Sequence, residues 1–254
     1  MSRTILLAFA VILGANVSAS AETVKVGVAA MAVQPFYVPD ASGKFSGWEI
    51  DVMSAICEDQ KLDCQVVPLA WDGLIPALTS GQIDMIMSSM SITDARKQII
   101  DFSDKYYTTP GTIVGPKNVQ EGVAPNDLKG KVIGIVVANI HQKYAQKHFT
   151  DSEIKTYKST DEVRQDLVAG RIDATLDDRF GLEDWVSSDA GSCCEIKGNV
   201  KYDPAIYGPG IGAGIRKDDA GLKNKINTGI KDIRANGKYD EITRRYFKTS
   251  IYGD

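Results

Sequence analysis

The apolar positions of the chain change period in a regular order. Residues 24–28, VKVGV, alternate as a strand does, and an apolar loop from Ala29 to Val33 leads into Gln34-Pro35-Phe36. After a turn at Pro39 to Gly43, Trp48 to Ile56 has helical spacing, and Gln65 to Leu69 reads as a second strand. Leu74, Ile75 and Leu78 share one face of a helix that Gly81 stops, and Ile83 to Met87 predicts a buried strand. The order βαβαβ is the unit of a doubly wound parallel sheet.

The plan then returns. Strands are expected at Lys131 to Val137, Ile154 to Tyr157 and Ile172 to Asp177, with helices from about His141 to Phe149 and from Asp161 to Ala169. A short motif repeats with it: Leu78-Thr79-Ser80-Gly81-Gln82-Ile83-Asp84 recurs 89 positions later as Leu167-Val168-Ala169-Gly170-Arg171-Ile172-Asp173. Two α/β lobes are therefore expected. Tyr106 to Gly115 reads as extended, and Tyr202 to Gly214 is rich in Gly and Pro with no amphipathic period. Both are expected to cross between the lobes. The apolar faces Leu222, Ile226, Ile230, Ile233 and then Tyr239, Ile242, Tyr246 would bring the chain back to the first lobe. The expected boundaries are 22–108 with 209–254 for lobe I, 112–204 for lobe II, and 109–111 and 205–208 for the crossings.

The candidate chemistry sits at the strand ends. Eight residues beyond each repeated Gly stand Ser89 in one half and Asp178 in the other. Around Ser89 the turn runs Ser88-Ser89-Met90-Ser91-Ile92-Thr93-Asp94, with Thr93 placed to N-cap a helix and Arg96 one turn inside it. Taken alone, those hydroxyls read as caps and Arg96 as a solvated residue. Paired with Asp178 across a repeat, they describe a cleft with an anion site on one side and a cation site on the other, as a zwitterion requires. Ligands in such sheets lie beyond the carboxyl ends of the strands, which gathers Ala29 to Val33, Trp71, Ser88 to Ser91, Val136 to His141, and Asp177 to Asp178 around one crevice.

Composition narrows the class. Met1 to Ala21 carries Arg3, an apolar run from Ile5 to Ala15 and the ending Ala19-Ser20-Ala21, the layout of a cleavable export signal and too short for a bilayer span of about 20 residues. Its removal leaves 233 residues (254 − 21) and a net charge of 28 − 33 = −5, which argues against nucleic-acid binding. A soluble, exported protein is expected. In an exported chain four cysteines point to disulfides. Cys57 and Cys64 flank the six residues EDQKLD and are expected to pair; Cys193-Cys194 is compatible with a vicinal disulfide, two thiols or an intermolecular link.

These residues resemble the periplasmic lysine/arginine/ornithine- and histidine-binding proteins, the family 3 solute-binding components of amino-acid ABC importers. The resemblance spans essentially the whole mature chain. It rests on Gly47-Trp48-Glu49-Ile50-Asp51, Cys57 with Cys64, Trp71-Asp72-Gly73-Leu74-Ile75-Pro76, Ser88 to Arg96, Phe102-Ser103-Asp104, Gly170-Arg171-Ile172-Asp173-Ala174, Arg216-Lys217-Asp218-Asp219 and Tyr252-Gly253-Asp254. It implies an α/β, two-lobed periplasmic binding protein fold of type II, each lobe a doubly wound sheet, with a two-strand hinge. It also implies that Arg96, Ser89 and Ser91, with neighbouring Ser88 and Met90, form the turn that holds the ligand carboxylate. Asp178 would hold the ammonium, and Trp71 would stack over the side chain. The second-lobe turn, Gly-Ser-Thr-like in the family, here reads Ala138-Asn139-Ile140-His141, so that Asn139 and Ile140 are the candidate contacts. The family's basic-ligand binders carry an Asp and a Tyr after the first strand, whereas this chain has Ala29-Ala30-Met31-Ala32-Val33. Glu49 or Asp177 could substitute, or Glu49 could be an exposed helix-start residue.

The leading expectation is a binding protein for a polar or cationic α-amino acid or a derivative such as an opine, working as a monomer with an inner-membrane ABC permease and without a cofactor. No Ser-His pair, metal-ligand spacing or phosphate loop supports hydrolysis. The alternatives are a periplasmic lyase or dehydratase on the same fold, and a soluble sensor for a separate receptor.

Overall fold

The computed structural model describes residues 21–120 and 122–253. The expected export signal, Ala21 apart, lies outside them. The first half runs β1 (Glu22–Ala29), a small hairpin of β2 (Val38–Pro39) and β3 (Phe45–Ser46), α1 (Trp48–Asp59), β4 (Leu62–Leu69), α2 (Leu74–Thr79), β5 (Met85–Ile86), α3 (Asp94–Lys97) and β6 (Asp101–Tyr107). The second runs β7 (Gly111–Pro116), β8 (Val132–Val136), α4 (Ile140–His148), β9 (Glu153–Tyr157), α5 (Thr160–Val168), β10 (Ala174–Asp178), α6 (Arg179–Val186), β11 (Cys194–Asn199) and α7 (Pro204–Tyr207). The chain then returns through β12 (Ile211–Ile215), α8 (Ala220–Ala235) and α9 (Lys238–Tyr246).

Two five-stranded sheets result, ordered β4-β1-β5-β12-β6 and β9-β8-β10-β7-β11. Each has three parallel strands, followed by one antiparallel strand and an edge strand that pairs with it antiparallel. The antiparallel strand is β12 in one sheet and β7 in the other. Both are the first strand after the chain crosses from the other sheet, so the internal repeat extends to the topology. Gly-rich Tyr202 to Gly214, expected as a plain connection, instead contains the short helix α7 and β12. A Cβ on Gly212 would lie 2.8 Å from Ile92 Cδ1, so the close approach of this strand to the turn after β5 accounts for a composition that hides a strand.

The first lobe is held by an aromatic cluster. Trp48 is fully buried, meets Phe36, Tyr107, Tyr239 and Phe247 edge-on, and donates from Nε1 to Thr243 Oγ1 at 3.1 Å. It thereby ties α1 to the C-terminal helix. Cys57 and Cys64 are bonded, joining α1 to β4 as expected; a loop this short contributes roughly 2 to 3 kcal/mol in the chain-entropy model. Cys193 and Cys194 are free thiols, and burial pushes the Cys194 thiol up to about 12. The second sheet has an apolar core on each face, one including Ile133, Tyr144 and Phe149, the other Val163, Leu167 and Trp185. No described helix is long and apolar enough to cross a membrane.

Candidate functional site

The carboxyl ends of β1, β4 and β5 face those of β8 and β10 across a cavity lined from both sides, the kind of crevice in which open α/β sheets bind ligands. Of the expected residues, Trp71, Ser88, Ser89, Ser91, Arg96, Asn139, Ile140 and Asp178 line it. Met90 does not: its side chain belongs to the first-lobe core and is 1% exposed.

The turn after β5 is anchored from below. Ser88 Oγ accepts from Ala29 N–H at 2.9 Å, tying the ends of β5 and β1 together. Ser89, at φ 54°, donates its N–H to Glu49 Oε1 at 2.7 Å and its hydroxyl to Oε2 at 2.8 Å, and Tyr106 adds a third donor to the same carboxylate. Glu49 is fully buried, which corrects the alternative of an exposed helix-start residue. Burial raises its pKa against the opposing pull of those donors. Thr93 caps α3 as expected, accepting from Arg96 N–H at 3.3 Å. The Arg96 side chain turns back into the cleft, where Nη1 donates to Ser91 O at 2.9 Å and Cζ lies 5.5 Å from the Trp71 ring centroid. Only 9% exposed, Arg96 loses enough hydration to bring its pKa down to about 10.

The second lobe supplies the opposite charge. Asp178 ends β10 at the N-cap position of α6, yet its carboxylate makes no capping bond. Oδ1 instead lies 3.2 Å from His141 Nε2, with Asp177 Oδ1 at 3.6 Å and the Tyr207 hydroxyl 3.4 Å from His141 Nδ1. Burial pulls the His141 pKa down, but the hydrogen bond and charge of Asp178 with the charge of Asp177 outweigh it, leaving the pKa above its ordinary value. Asp177 is raised by burial. Asn139 caps α4 through Oδ1, accepting from Gln142 N–H at 2.9 Å, so its side chain is engaged in holding the loop.

Tyr37, Thr160 and Arg164 also line the cavity, and sequence reasoning passed over all three. Thr160 and Arg164 sit on α5, where most positions are polar and signal only a solvated face; Tyr37 lies between two turns and has no periodic context. Thr160 Oγ1 donates to Ala32 O at 3.3 Å, so the lobes touch at the rim. His141, Asp177 and Asp178 also have the donor set and closeness for a metal ion, all within 4.8 Å. The imidazole already bridges those carboxylates, however, and the wall opposite presents Arg96.

Two α/β lobes closing on a cavity with a guanidinium on one side and carboxylates on the other define a solute-binding protein with the type II periplasmic binding fold. The chain belongs to the bacterial extracellular solute-binding proteins, family 3, whose model matches residues 24–249. An L-arginine-binding protein of Pseudomonas aeruginosa is 40% identical over 242 residues, 92% of this chain and 92% of the relative. The lysine/arginine/ornithine-binding periplasmic protein of Escherichia coli is 34% identical over 257 residues, covering 98% of each. The solved structure of an ancestral arginine-binding protein bound to arginine matches with a TM-score of 0.82 at 30% identity, over 90% of this chain and 99% of that one.

Proposed function

We propose that the cleft captures an α-amino acid, polar or cationic, or a derivative such as an opine, as a zwitterion and delivers it in the periplasm to an inner-membrane ABC permease. The observation that carries this reading is that Arg96 and Asp178, from different lobes, line one cavity. Arg96, with the Ser88 to Ser91 turn, takes the α-carboxylate; Asp178 takes the ammonium; Trp71 covers the side chain; and the backbone at Asn139 and Ile140 closes the second-lobe side. Neither lobe holds both ends. Binding therefore favours the closed arrangement of lobe I (22–108, 209–254) on lobe II (112–204), turning at 109–111 and 205–208.

The protein acts by binding alone, as a monomer and without nucleic acid. A thermal-shift screen of α-amino acids, opines and biogenic amines tests it, since a ligand bound only by the folded state raises the melting point by mass action. A rise with α-amino acids or their derivatives and not with the corresponding amines is expected, with the ligand recovered unchanged by mass spectrometry. A recovered product would move the protein to the lyase reading.

A further inference from the structure

A zwitterion needs one guanidinium, and the cavity has two. Arg164 reaches it from α5, with Cζ 5.5 Å from the Trp185 ring centroid and Nη2 donating to Gly181 O at 3.3 Å. Among the described residues it has no ion pair; Asp177, Asp161 and Asp184 act on it only from longer range, and burial lowers its pKa. Arg96, more deeply buried, likewise places its side-chain hydrogen bond on a carbonyl, whereas Arg164 is half-buried. A partly desolvated cation without a paired anion is unfavourable, and a ligand can supply what is lacking.

The charges facing the cavity are Arg96 and Arg164 against Asp177 and Asp178, with His141 bridging the two carboxylates. His141 Nε2, 3.2 Å from Asp178 and 3.6 Å from Asp177, engages one carboxylate and leaves the other for an ammonium. The α-carboxylate uses Arg96. Nothing in an ordinary amino acid then meets Arg164. Met31 and Val33, which line the cavity from the loop after β1, offer no charge to a basic side chain. Glu49 does not line it and is held by Ser89 and Tyr106.

We propose that the ligand carries a second carboxylate, which pairs with Arg164 while the first pairs with Arg96. This rests on the amino-acid reading above and narrows it. Two chemistries supply such a ligand: an acidic side chain, or a carboxyalkyl group on the α-nitrogen as in opines. In either case the preferred ligand differs from the arginine of the relatives in its balance of charge.

Calorimetry on the full chain with two matched pairs, L-glutamate against L-glutamine and the Nα-carboxyethyl derivative of L-arginine against L-arginine, isolates that carboxylate. In at least one pair the dicarboxylate is expected to bind about tenfold tighter or more, and the pair that shows it identifies the source. Arg164→Gln should bring the ratio to about one while altering the weaker partner less than about threefold. Arg164→Met, which keeps the packing on Trp185, should do the same, and both should still unfold in one cooperative transition. Equal or tighter binding of the monocarboxylates, or a preference that survives both substitutions, overturns the proposal and leaves the amino-acid reading standing. If no member of either pair binds the parent, this proposal fails, while the amino-acid reading stands or falls on the wider thermal-shift screen.

Discussion

Glu49 and Ser89, 40 positions apart, are joined twice: the N–H and the hydroxyl of Ser89 donate to separate oxygens of one buried carboxylate, at 2.7 and 2.8 Å. Ser89 is held at φ 54°, a region uncommon for residues other than Gly and costing roughly 1–3 kcal/mol. The two charge-assisted bonds offset that cost. The first turn of α1 thus sets the backbone that presents Ser88 and Ser91 to the cavity, although Glu49 itself lies outside it.

Glu49→Gln should therefore destabilise the fold, even though it removes a buried charge. An amide can accept on one side only, so one of the three donors now held is left facing an NH2 group. Hydrogen bonds to charged groups are worth about 1.5–3 kcal/mol, and a loss in that range is expected by urea denaturation. A variant as stable as the parent would mean that the carboxylate is dispensable to the turn.

Arg96→Ala should weaken α-carboxylate ligands by at least about a hundredfold, because a desolvated, forked donor is removed from the anion site. A small fall in melting temperature is expected too, since the bond to Ser91 O goes with it. Calorimetry that finds the affinity unchanged would place the carboxylate elsewhere.

Asp178→Asn tests the cation site. Losing one partner of a buried charge pair costs about 2 to 5 kcal/mol, or roughly 30- to several-thousand-fold in Kd. If the residue serves only its helix terminus, the loss should stay below about threefold. The absence of a capping bond from this side chain argues for the larger number.

His141 should make stability depend on pH. Its folded pKa lies above the ordinary 6.5, so the native state binds the proton more tightly than the unfolded chain. That contribution is complete below the unfolded pKa and is lost as pH rises through the folded one. The stability of the parent minus that of His141→Gln, measured by denaturation between about pH 5.5 and 9, should thus be largest at the acid end and decline upward. A difference independent of pH would show that His141 is neutral in the folded protein throughout.

Much of this was readable in the sequence because the repeat is periodic. The strand ends carrying Ser89 and Asp178, the Thr93 cap and the Cys57–Cys64 pair all follow from spacing, which survives without knowledge of tertiary contacts. What was missed depends on such contacts. Glu49 reads as a favourable acidic residue in a first turn, and only Tyr106, 57 positions away, and Ser89 show why it is buried. Arg164 has the spacing of a solvent-facing residue on α5, and the second lobe turns it inward. β12 was hidden because Gly212 and Gly214, which its crowded neighbours require, erase the apolar alternation that announces a strand.

The place of β12 also orders assembly in time. The second sheet draws all its strands from residues 111–199 and can close as soon as that stretch has been made, whereas β6 reaches the first sheet only through β12 at Ile211–Ile215. Pairings so distant in sequence pay a larger loop-closure entropy and form late. The lobe that begins the chain is consequently the last to finish, and until it does the turn around Ser89 lacks the bridge from Ser91 to Ile211 that fixes its far side.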